Sequence, residues 1–170
     1  ELQDEPKACG AYCIYMILRH YGIHVELKSI KDKTRMDQNG ISIKGMLECL
    51  KEYQVEAKAF TCSLNDIKEQ VKLPCILHLS INNLGHYVVL YEIKDDEYII
   101  GDPQKGLITM YEDELEKFFS SYMISIMHVG RVEDEKEQSY LQFIKETFQN
   151  YSYEIRDFLF NGLLISILSF

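Results

Sequence analysis

Several things are missing from this 170-residue sequence, and each absence removes a class of answer. The basic residues do not cluster and the formal net charge is −9, which argues against a nucleic-acid partner. The five cysteines, Cys9, Cys13, Cys49, Cys62 and Cys75, contain no CxxC pair. Neither Cys9 nor Cys13 has a His or Cys partner at zinc-finger spacing, so a structural zinc site is not expected. The odd count, the wide spacing and the lack of a secretory signal point to reduced thiols facing the cytosol. There is no internal repeat and no low-complexity tract. Nor is there a run of the roughly 20 apolar residues that a membrane-spanning helix needs. The apolar stretch from Phe158 to Phe170 is shorter, and reads as the start of such a helix, an interfacial helix or a helix docked on the domain.

What remains fits one folded domain and an appended segment. Cys13, Ile14, Ile17, Leu18 and Tyr21 recur at helical spacing and predict a helix over 9–21, ended by Gly22. A short polar helix follows over 27–33, and Ser42 caps another that carries Ile43, Met46, Leu47 and Leu50. The period then changes. Residues 55–61 alternate as a half-buried strand does, and 63–71 reads as a short capped helix. Strands are expected over 75–81, 86–93, 98–100 and 107–111, joined by turns short enough for an antiparallel meander. A small helix over 112–119 leads to a last strand over 122–129. Helices first and strands later indicate an α+β domain over 1–130, with the helices on one side of an antiparallel sheet. Residues 131–138 form a charged linker, and 139–170 an amphipathic to apolar segment.

Four residues carry chemistry if they meet. A cysteine at a helix N-terminus feels the positive end of the helix dipole, which favours its thiolate. A thiol that attacks a carbonyl also needs a histidine to move protons, an Asn or Asp to orient that histidine, and donors for the oxyanion. In chain order these are Gln3, Cys9, His86 and Asp102. A hairpin about the Asp95-Asp96 turn brings the start of one strand, His86, near the end of the next, Asp102. By contrast Cys13 and His78 read as core or surface packing, His20 and His24 as surface residues beside a helix end, and His128 as a strand end.

At these residues the chain resembles a family C39 peptidase domain, the papain-like module of transporters that export bacteriocins and lantibiotics. The matching segments are Gln3…Cys9-Gly10-Ala11…Met16-Ile-Leu…Tyr21-Gly22, Gly85-His86-Tyr-Val-Val-Leu and Gly101-Asp102-Pro103. One position departs: the family pattern has an acidic residue just before the nucleophile, and here it is Ala8. The resemblance implies a papain-like fold and cleavage of a leader peptide after a double-glycine-type motif. It implies Cys9 as nucleophile, His86 as base and acid, Asp102 as its orienter, and Gln3 with the Cys9 N–H as the oxyanion hole. It also implies a precursor with an amphipathic leader as partner, a location at the cytoplasmic face of the bacterial plasma membrane, and residues 139–170 leading toward a transmembrane domain of a homodimeric transporter. No cofactor is expected for the peptidase. ATP belongs to a nucleotide-binding domain, and this sequence has no P-loop. Two other uses of such a site stay open, a leader-binding module without catalysis and another papain-like acyl transfer.

Overall fold

The computed structural model describes residues 7–34 and 40–130. Gln3, the 131–138 linker and the 139–170 segment lie outside the described residues. The described chain runs α1 (Cys9–His20), α2 (Leu27–Lys33), α3 (Ile43–Glu52), β1 (Val55–Thr61), α4 (Leu64–Gln70), β2 (Cys75–Ile81), β3 (Leu84–Lys94), β4 (Glu97–Asp102), β5 (Gly106–Tyr111), α5 (Glu112–Phe118) and β6 (Phe119–Val129).

Local chemistry accounts for most of these boundaries. Helix α1 closes by a Schellman motif: Ile23 N–H donates to Leu18 O at 2.9 Å and Gly22 N–H to Arg19 O at 3.1 Å. Gly22 takes the left-handed φ of 77° that the motif requires. Ser42 Oγ caps α3 by accepting from Gly45 N–H at 3.1 Å. A reciprocal capping box between Ser63 and Asp66 starts α4. The β2–β3 turn needs only Asn82 and Asn83, both left-handed at φ 53° and 62°, so the chain is back in a strand by Leu84. Gly85 is therefore a strand residue and not part of the turn.

All strand pairs are antiparallel, in the order β1-β6-β2-β3-β4-β5. Strands β2 to β5 form the expected meander, while β6 returns across the sheet to separate β1 from β2. The expectation that the helices lie on one side is corrected. Alternate residues of β2, β3 and β6 feed two cores. Ile76, Val89 and Ile124 pack with Ile14, Ile17 and Leu18 of α1 and Leu50 of α3. Leu77, Leu90 and Met123 pack with Ile67 of α4 and Leu115 of α5. The sheet's central strands are apolar on both faces, so each face needs a cover. Every fully buried Ile or Leu contributes roughly 1.5–3 kcal/mol, and α1 supplies three to one face.

One irregularity decides where Asp102 lies. In the β3–β4 ladder Leu90 pairs with Ile100 but Glu92 pairs with Ile99, so Tyr91 is an extra residue, a β-bulge. A regular hairpin about Asp95-Asp96 would set Asp102 opposite Val89, whose side chain faces away from that of His86. The bulge moves Asp102 to the position of Val88, which shares a face with His86. One inserted residue thus changes which face the carboxylate joins.

Candidate active site

Cys9 is the first residue of α1, where no acidic side chain occupies the first turn and no side chain caps the helix. The leading N–H groups have no partner inside the helix, so the helix end favours a negative charge at the thiol. Ala8, just before it, is fully buried. An acidic side chain there would be taken out of water, and a small apolar one fits.

His86 and Asp102 meet diagonally across the bulged ladder. His86 Nε2–H donates to Asp102 Oδ1 at 3.0 Å, and Gln104 N–H donates to the same oxygen at 2.8 Å. The side chains of Cys9, His86 and Asp102 are all buried, with Cys9 7% exposed. His86 also stabilises the charged form of the Cys9 thiol. With Nε2 committed to Asp102, Nδ1 is the ring nitrogen that faces sulfur. Two backbone groups complete the setting of the thiol, the N–H of Tyr87 and that of Gly10.

Electrostatics separates this thiol from the others. Burial pushes Cys9 up, but the His86 hydrogen bond, the Tyr87 N–H and the imidazolium charge together hold it below its ordinary value. For His86, burial favours the neutral ring, yet the bonds to Asp102 and Cys9 and their negative charges raise it to about 9. Asp102 is pushed up by burial but ends below the ordinary carboxyl range through His86 and the Gln104 N–H. The surroundings thus favour the charged form of each of the three groups. The remaining four thiols go the other way. Cys13, four residues on and fully buried, is raised by desolvation and by Cys9. Burial also raises Cys62 and Cys75, and takes Cys49 to about 12.

The structure brings together Cys9, His86 and Asp102, and says nothing of Gln3. Sequence reasoning missed Gly10 N–H and Tyr87 N–H as donors, because a backbone donor carries no residue-type signal. It also missed the bulge, although Gly101 hinted at it. A Cβ there would sit 2.7 Å from the Tyr91 ring and 3.2 Å from Met16 Sδ, so the bulged Tyr91 lies over a glycine. Among the described residues no group of three or more His, Cys, Asp and Glu is placed to hold a metal ion.

Comparison with known proteins is consistent with this geometry. A model of the peptidase C39 family matches residues 1–129. The lactococcin-G-processing and transport ATP-binding protein LagD of Lactococcus lactis subsp. lactis is 33% identical over 124 residues, 72% of this chain and 18% of that protein. The SPbeta prophage-derived sublancin-168-processing and transport ATP-binding protein SunT of Bacillus subtilis (strain 168) is 30% identical over 165 residues, 92% of this chain and 21% of that protein. The chain thus spans about a fifth of the length of these curated relatives. Among solved structures, a double glycine motif protease from an AMS/PCAT transporter, crystallised with the leader peptide, aligns with a TM-score of 0.70 at 27% identity, covering 74% of this chain and 88% of that one. The peptidase domain of Streptococcus ComA shares the fold, with a TM-score of 0.69 at 20% identity over 74% of this chain and 94% of that one.

Proposed function

Since the chain belongs to the peptidase C39 family, we propose that it is the cysteine endopeptidase part of a peptide exporter, and that it cuts the leader from a bacteriocin- or lantibiotic-type precursor after a double-glycine-type motif. The observation that carries this reading is the buried His86–Asp102 hydrogen bond beside Cys9, with Cys9 the one thiol among five whose ionisation is favoured. In the proposed reaction the Cys9 thiolate attacks the carbonyl carbon before the scissile bond, and the tetrahedral oxyanion is held by the Cys9 N–H with Gln3. His86 gives its Nδ1 proton to the leaving amine, the C–N bond breaks, and a thioester on Cys9 remains. Neutral His86 then takes a proton from water, the hydroxide adds to the thioester, and the leader leaves as a carboxylic acid with the thiolate restored. Asp102 keeps the ring oriented throughout and stabilises its charge.

Small residues on both sides of the cut suit a narrow cleft that rejects side chains, so that affinity must come from the leader itself. The relatives LagD and SunT are transport ATP-binding proteins. On this reading the peptidase works at the cytoplasmic face of the membrane, residues 139–170 connect it toward a transmembrane domain, and a homodimeric transporter supplies the ATP chemistry elsewhere. Mass spectrometry of candidate precursors incubated with the chain tests the proposal. Cleavage after the double-glycine motif is expected with the wild type, is abolished by Cys9→Ala and is largely retained by Cys13→Ala. Cleavage that persists without Cys9 would remove it as nucleophile.

A further inference from the structure

His86 lies in β3 between Gly85 and Tyr87, and both neighbours rest on one ring, that of His78 in β2. The ladder sets His78 opposite Tyr87, and their ring centroids are 4.9 Å apart. The approach to Gly85 is closer still. A Cβ on that residue would lie 2.7 Å from His78 Nε2 and 3.5 Å from Cε1, so the ring occupies the space of the missing side chain. On its other side the ring is held by Ser120, whose Oγ is 2.6 Å from His78 Nδ1 and donates to the backbone oxygen of His78 at 2.9 Å. That hydroxyl has one proton, and the carbonyl takes it. Nδ1 of His78 must then carry the imidazole proton and donate it to Ser120. Ser120 belongs to the irregular part of β6, where pairing with β2 jumps from Leu77↔Met123 to Leu79↔Phe119 and Ser121 adopts φ 65°. The bulge and the ring thus hold one another.

Resting on the cysteine-peptidase reading, we propose that His78, latched by Ser120, is a positioning residue. Its ring sets the backbone of Gly85 to Tyr87, and thereby fixes where His86 and the Tyr87 N–H meet the Cys9 thiol. It acts through those residues and touches no reacting atom. Its own basicity is depressed by burial and then by the charge on His86. A side chain that merely filled space would affect melting and leave the thiol unchanged. A positioning residue must alter the ionisation of Cys9.

The test follows alkylation of Cys9 by iodoacetamide across pH in the full chain, with thermal melting alongside. His78→Ala is expected to move the alkylation midpoint toward that of an ordinary thiol and to slow the reaction near pH 6 by about ten- to hundredfold. Gly85→Ala, whose Cβ displaces the ring, is expected to do the same. The double variant should be no worse than either alone, because both changes break one contact. Ser120→Ala should shift the profile in the same direction by less, and serves if His78→Ala does not fold. A wild-type profile in His78→Ala or, failing that, in Ser120→Ala overturns the proposal, as do His78→Ala and Gly85→Ala effects that multiply. Because the readout is the thiol, a precursor left uncut by a wild-type chain with normal alkylation counts against the peptidase reading and not against this one.

Discussion

At the residue scale, the proposed reaction rests on the protonation states of Cys9, His86 and Asp102, and pH reads them out. His86 is raised from 6.5 to about 9 and Cys9 is lowered, so the thiolate–imidazolium pair spans the range between its two macroscopic ionisations. Cleavage is expected to fall on the acid side as the thiolate is protonated, and again above about pH 9 as His86 loses the proton it must donate. Asp102→Asn keeps an acceptor oxygen but removes the charge that raises His86. The alkaline limb should therefore move down, with a rate loss of about ten- to hundredfold, smaller than for Asp102→Ala. A pH–rate profile of kcat/KM checks both. Stability follows the same groups with opposite signs. The contribution of His86 is fully present below about 6.5 and lost as pH rises through about 9. That of Asp102, whose pKa is lowered, is present above its ordinary 3.8 and lost as pH falls through its folded value. Residue types announced Cys9, His86 and Asp102, because side-chain chemistry is written in the sequence. The N–H groups of Gly10 and Tyr87 and the support from His78 were not legible, since they depend on which backbones approach.

At the element scale the decisive feature is the Tyr91 bulge. It reconciles an odd spacing in β3, where Leu90 and Ile93 both reach the same core, with the even spacing of Tyr98 and Ile100 in β4. It also delivers Asp102 to the face of His86. The Tyr91 ring over Gly101 ties the bulge to the strand that carries the carboxylate. Gly101→Ala should therefore destabilise the fold by about 1–3 kcal/mol through overpacking, as read by chemical denaturation. It should also lower the alkaline limb of the rate profile in the manner of Asp102→Asn. Stability loss with an unshifted limb would mean that the bulge does not govern the pairing of His86 and Asp102. Helix ends and strand positions were legible from periodicity, Gly22, Ser42 and Ser63, all of which act within a few residues. Strand order, the place of β6 and the bulge were not, because they are settled by pairing between segments far apart in the chain.

At the scale of the whole molecule, inserting β6 between β2 and β1 makes a groove of mixed apolar and polar lining that no single element could provide. Phe60 of β1 and Met127 of β6 are 45% and 50% exposed, and with Cys62, Val71 and Met123, and the polar Thr61, Asp66, Gln70 and Ser125, they line a cavity of about 490 Å³ beside α4. We expect the amphipathic leader of the proposed reaction to dock here, since glycines at the cut offer almost no apolar area to bind. A contact that only holds the leader, and is made equally in ground and transition states, raises KM and leaves kcat unchanged when it is lost. Phe60→Ala is thus expected to raise KM for a full precursor by about tenfold, or roughly 1–2 kcal/mol of lost burial, with kcat within about twofold of wild type. A short peptide that carries only the double-glycine cut site never reaches the groove, and Phe60→Ala should leave its kcat/KM unchanged. Equal losses on the two substrates would place the effect of Phe60 on the fold around Cys9, and the leader would then have to bind elsewhere.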